Sequence, residues 1–159
     1  MNPYASQLGG ADPHKTIFET PEQLAQLVQR LGPDGLQRAL GPGKWTPREI
    51  LCHLADTEIA FAFRLRQALA EPHHTIQPFD QDAWARNYAQ LDAREALEAF
   101  SSLRRWNIGL IARTPREAYA KEVTHPERGT MTFQTLVETM AGHDLNHLRQ
   151  LESLAAQTV

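Results

Sequence analysis

His143 and His147 stand four residues apart, a spacing that on a helix stacks both imidazoles on one face, where they can bind a single ion. The pair alone says little. With seven histidines in 159 residues, chance supplies about one such pair in every four chains of this composition. Its setting says more: Leu136, Met140, His143, His147, Leu151 and Leu154 follow one another at spacings of 4, 3, 4, 4 and 3, so both histidines replace aliphatic residues on an apolar helical stripe. A buried imidazole without a partner costs on the order of 1 to 3 kcal/mol, and a shared ion would remove that cost. A third histidine, His53, falls on the line Ile50, His53, Thr57, Phe61, at the margin of another apolar face, and can point into the same interior. Three neutral imidazoles from two helices match the catalytic zinc arrangement, which keeps a fourth position for water or substrate; a structural site would want a fourth protein ligand. Asp56, Glu58 and Asp144 are candidates to orient an imidazole through its second nitrogen, with capping or solvated carboxylates as the plainer alternative.

The elements that would carry these histidines can be read from caps and periodicity. Thr20-Pro21-Glu22-Gln23 is a helix start, followed by Leu24, Leu27, Val28 and Leu31; Gly32-Pro33 interrupts it and Gly41-Pro42-Gly43 ends the segment. Thr46-Pro47-Arg48-Glu49 repeats the signal with Glu49 placed for a capping box, which predicts a helix over 47–70. Residues 71–91 form a long connection with a short helix around Gln81 to Tyr88, and Asp92 caps a third helix reaching Arg113. Another connection, 114–130, includes a briefly extended Val123-Thr124-His125, and the last helix starts after Thr130 or Thr132. Four long helical segments without a strand pattern predict an all-α fold, a four-helix bundle with long crossover connections. Residues 1–17 read as a flexible N-terminal arm and 18–159 as a single domain.

Composition narrows the function. No apolar run approaches the roughly 18 residues a membrane span needs, and the N-terminus has neither a basic start nor an apolar core of a signal peptide, so a cytoplasmic protein is expected. A net charge of −3, with 16 basic and 19 acidic residues dispersed along the chain, argues against a nucleic-acid partner. The one cysteine, Cys52, cannot form an internal disulfide and points about 100° away from His53 on a helix, so it reads as packing.

Two stretches carry a family resemblance: Trp45-Thr46-Pro47 leading into Glu49-Ile50-Leu51-Cys52-His53-Leu54-Ala55-Asp56, and Thr130-Met131-Thr132-Phe133 leading into His143-Asp144-Leu145-Asn146-His147-Leu148. In these the chain resembles the DinB (YfiT-like) family of DNA-damage-inducible four-helix bundles. The resemblance implies a divalent transition metal, zinc or nickel, held at the positions of His53, His143 and His147, and a homodimer. It also implies a small-molecule substrate. Members with assigned activity transfer low-molecular-weight thiols such as bacillithiol or mycothiol, or isomerise maleylpyruvate with a thiol's help; many others are described only as metal-dependent hydrolases. The family name records induction by DNA damage and implies no DNA contact.

The expectation is therefore a metal-dependent enzyme whose ion lowers the pKa of a thiol or water nucleophile. Thiol S-transfer comes first and hydrolysis second; a non-catalytic bundle locked by its metal is the rival from another class. Of the remaining residues, Trp84 is expected to wall a substrate pocket and Trp106 to pack in the core, with Trp45 open to either role. Arg64, His14, His73 and His74 are expected at the surface, and His125 either at a pocket mouth or exposed in a loop.

Overall fold

The computed structural model describes residues 1–157. Its helices are α1 (Ala5–Leu8), α2 (Pro13–Gly35), α3 (Pro47–Ala70), α4 (Gln81–Ala85), α5 (Ala93–Arg113) and α6 (Phe133–Ala156); a hairpin of β1 (Glu122–His125) and β2 (Gly129–Thr132) precedes α6. α2 packs on α5 and α6, and α3 packs on the same two helices. Consecutive helices α2 and α3 thus lie across the diagonal of a four-helix bundle, as do α5 and α6, which is why the connections between them are long. Among the described residues, no helix is long and apolar enough to cross a membrane.

Local chemistry explains the helix starts. Thr46 accepts from the Glu49 amide while the Glu49 carboxylate takes the Thr46 N–H, and Pro47 occupies the first helical position, so α3 begins where its sequence says it should. Asp92 caps α5 through the amides of Arg94 and Glu95, and Thr132 caps α6 through Thr135.

α2 departs from expectation. It starts at Pro13, capped by Asp12 on the amides of His14 and Lys15, and runs through Pro21 to a kink at Gly32, whose φ of 62° only glycine adopts readily. Proline at 21 has no N–H for the Ile17 carbonyl, which in an ordinary helix would remain unpaired; here Arg104 Nη1 donates to that oxygen at 3.2 Å. Thr20 is then no cap but a fully buried residue whose hydroxyl donates to Thr16 O and Asp144 Oδ2. Nor does the segment expected as a loose arm stand away from the body: α1 lies on α6, and Arg149 on α6 donates to the backbone and side chain of Gln7.

The hairpin also differs from a loop with one extended stretch. Val123 and His125 face the interior, β1 pairs with β2 from Glu122↔Thr132 to His125↔Gly129, and Thr124 exchanges backbone bonds with His74 and Ile76 in the α3–α4 connection. This ties the two crossovers together at one end of the bundle.

The core falls into two apolar clusters, one around Leu24, Leu51, Phe100 and Leu151, the other around Ile17, Phe61, Ile111 and Met140. A buried polar layer separates them, with Thr20 from α2, Glu58 from α3, Arg104 and Asn107 from α5, and Asp144 from α6. Arg104, 1% exposed, donates Nε and Nη2 to Glu58 at 3.0 and 2.8 Å and Nη1 and Nη2 to Asp144 at 2.5 and 3.0 Å. Asn107 adds a bond to Glu58. Each of the four long helices contributes to this layer, and sliding one that carries a charge by a turn would leave buried charge unpaired, at several kcal/mol per ion.

Candidate metal centre

α3 and α6 bring His53, His143 and His147 together, at exposures of 1%, 4% and 5%. His53 is not at the margin of its helix's buried face but wholly inside it. One nitrogen from each ring lies within 4.8 Å of the other two, and the Nε2 atoms of His53 and His143 are 3.0 Å apart. Two nitrogens each about 2.0–2.1 Å from a common tetrahedral ion stand roughly 3.3 Å apart, so this pair is already near the spacing that one ion would impose.

The electrostatics suit ligation. Burial lowers the His53 pKa to about 3, helped by His147, and lowers that of His147 to about 4. His143, caged between them, is driven well below the ordinary histidine range by burial and then by its two neighbours. All three are neutral bases at pH 7, the form that binds a metal. His147 Nδ1 is 2.9 Å from Gln150 Oε1; the amide oxygen accepts only from an Nδ1–H, which leaves the His147 Nε2 lone pair free for an ion. The His53 Nδ1 atom is buried without a partner among the described residues.

Aromatic rings close most of the remaining sides. Trp45 lies 4.9 Å from His53, Tyr4 5.2 Å and Phe61 6.2 Å from His143, centroid to centroid. On the His147 side a cleft of about 590 Å³ opens, walled by Tyr4, Lys44, Trp45, Asn146 and Gln150 among others. Three converging imidazoles with one accessible side have the form of an open site rather than of a closed structural one, which would want a fourth protein ligand.

Several sequence expectations fail here. Among the described residues, none of Asp56, Glu58 and Asp144 orients an imidazole: Asp56 accepts from the Tyr88 hydroxyl at 2.8 Å, and the other two are consumed by Arg104. Trp84 stacks on Phe79 at 4.6 Å, outside the wall of the cleft, and Trp45 takes the role expected of it. Trp106 is 70% exposed and packs in no core. Arg64 is half-buried over the Phe79 ring. His125 is neither at the cleft nor in a loop; it is 4% exposed in β1, its Nδ1 accepting from the Glu127 amide. Cys52 is buried, as expected for packing, and burial pushes its thiol up to about 11.

Sequence reasoning missed Gln150, Tyr4 and Arg104. Gln150 was within reach, three residues beyond His147 on the same helical face. Arg104 sits on its own apolar line, Phe100, Arg104, Asn107, Ile111, where a charge calls for a buried partner. Tyr4 carried no such signal, because only the tertiary path of the N-terminal segment brings it to the site.

Comparison with known proteins agrees with this architecture. A protein of Oceanobacillus iheyensis carrying the name putative metal-dependent hydrolase is 29% identical over 140 residues, 87% of this chain and 81% of the relative. A Bacillus cereus protein with the same name is 26% identical over 139 residues, covering 87% and 80%. Among solved structures, YfiT from Bacillus subtilis, described as a probable metal-dependent hydrolase with an unusual four-helix bundle topology, superposes with a TM-score of 0.85 at 22% identity, over 91% of this chain and 85% of that one. The sequence profile of one family matches residues 17–151, and the chain belongs to that family, the DinB superfamily.

Proposed function

We propose that the protein is a metal-dependent enzyme in which His53, His143 and His147 hold one divalent transition-metal ion at the floor of the cleft. The observation that carries this is the convergence of three neutral, buried imidazole nitrogens within 4.8 Å. Imidazole suits zinc and nickel alike. Such an ion supplies Lewis acidity and lowers the pKa of a nucleophile brought to it. The chain's own residues do the rest. Gln150 fixes the His147 tautomer, Trp45 and Phe61 exclude water from the histidine face, and the cleft admits a small molecule from the His147 side.

Water and a low-molecular-weight thiol are the two nucleophiles to consider. The names of the relatives favour water, hence hydrolysis. Thiol transfer is the second reading, and it needs a thiol from outside, because Cys52, the chain's one cysteine, is buried and held protonated. The test is turnover of activated esters and of soft electrophiles by metal-loaded protein, each with and without added thiol. Ester cleavage independent of thiol supports hydrolysis, and thiol-dependent loss of the electrophile supports transfer. Absence of both, in protein shown to contain metal, contradicts the enzyme reading.

A further inference from the structure

Tyr4 belongs to a segment outside the family match, which begins at residue 17, yet it stands at the metal centre. Its ring meets His143 edge to face with centroids 5.2 Å apart, and it lines the same cleft as His147. The approach is built into α6. A Cβ on Gly142 would lie 2.6 Å from the Tyr4 carbonyl oxygen and 2.7 Å from the Tyr4 Cβ, closer than non-bonded atoms approach, so the residue before His143 must be glycine for the segment to lie there. The segment is held at both sides of Tyr4. Its amide donates to Asn2 Oδ1 at 2.9 Å, its carbonyl accepts from the amides of Gln7 and Leu8, and Arg149 on α6 fastens Gln7.

The phenol has no such partner. Among the described residues nothing forms a hydrogen bond with the Tyr4 hydroxyl, although Tyr88 and Tyr119 both place theirs, on Asp56 and on the Ile111 carbonyl. The hydroxyl of a partly buried tyrosine at a cleft wall, without an acceptor among the described residues, is available to a ligand.

We propose that Tyr4 is a substrate-contacting hydrogen-bond donor, whose hydroxyl holds the oxygen of a carbonyl-type electrophile bound over the three histidines. This rests on the metal-centre reading above. When a nucleophile adds to such a carbonyl carbon, the C=O π pair moves onto oxygen, and the Tyr4 O–H donates a hydrogen bond to that growing charge without giving up its proton. An ordinary phenol keeps its proton at neutral pH, so the donor form persists. Donors placed where charge develops are worth more than donors that bind the ground state alone.

Acetohydroxamate, an anionic oxygen ligand, is a suitable probe. The apoprotein is loaded with cobalt(II), whose visible absorption reports both metal binding and ligand binding, and is titrated with acetohydroxamate in wild type, Tyr4→Phe and Arg149→Met. Tyr4→Phe keeps the ring against His143 and removes only the hydroxyl; Arg149→Met releases the segment from α6. The expected result is unchanged cobalt affinity in all three proteins, with hydroxamate affinity reduced about tenfold in Tyr4→Phe and also lowered in Arg149→Met. Equal hydroxamate affinity in wild type and Tyr4→Phe, or no hydroxamate response in cobalt-loaded wild type, overturns the assignment of Tyr4 while leaving the metal centre intact. Failure of the wild type to bind cobalt overturns the metal-centre reading itself, and the assignment with it.

Discussion

The Nε2 atoms of His53 and His143 face each other at 3.0 Å inside the bundle, although the two residues are 90 positions apart in the chain. Two imidazole lone pairs cannot share that line, so without an ion one ring must present its Nε2–H to the other. A bound ion would take the lone pairs of both. The close contact thus links the fold, which presses α3 and α6 together at this level, to the chemistry proposed for it.

The depressed histidine pKa values fix the pH response of the metal-free protein. His53 and His147 titrate at about 3 and about 4 when folded, against about 6.5 when unfolded. Between those limits the unfolded chain binds more protons. Stability from these groups is therefore complete above about pH 6.5 and is lost as pH falls toward 4, by up to about 1.4 kcal/mol per pH unit for each imidazole. Chemical denaturation of apoprotein from pH 7.5 to 4.5 checks this, and a flat profile would show that the rings are not held neutral.

Arg104 balances two buried carboxylates, Glu58 and Asp144. Arg104→Met should cost about 3–5 kcal/mol, because it strands both charges and the Ile17 carbonyl. Adding Glu58→Gln and Asp144→Asn to that variant should recover part of the loss. Urea denaturation of the single and triple variants measures both, and a single-variant cost below about 1 kcal/mol would mean that water solvates the layer, as it does exposed ion pairs.

Gln150 acts on the site only through His147. Gln150→Leu should leave the unfolding midpoint of the apoprotein within about 1 kcal/mol of wild type and weaken metal affinity roughly 10- to 100-fold, as expected when the group orienting a ligand is lost. Competition with a chelating dye measures the affinity. Gln150→Glu, which keeps an acceptor, should retain most of it.

Legibility followed locality. α3 could be read to the residue because Thr46, Pro47 and Glu49 form a self-contained start signal, and the three histidines could be read because their spacing and apolar stripes are helical properties. The start of α2 could not, since Thr20-Pro21 is as good a local signal as Asp12-Pro13, and the arginine that compensates Pro21 comes from position 104. β2 depends on pairing with β1 rather than on its own pattern. Trp106 was misplaced because size and hydrophobicity favour burial on average, whereas its position on α5 turns it to solvent. Asp144 turns away from His143 because adjacent helical positions diverge by about 100°, whereas Asp56, three residues beyond His53, is taken by the Tyr88 hydroxyl.

The central claim is that one ion is held by three histidines, and metal content tests it most directly. Protein purified without an affinity tag, alongside His53→Ala, His143→Ala and His147→Ala, should be analysed for transition elements after exposure to zinc or nickel and removal of excess. The account predicts about one equivalent per chain in the wild type and a loss of most of it in each variant while the helical fold persists. A wild type that retains no metal, or variants that retain as much as the wild type, would contradict it.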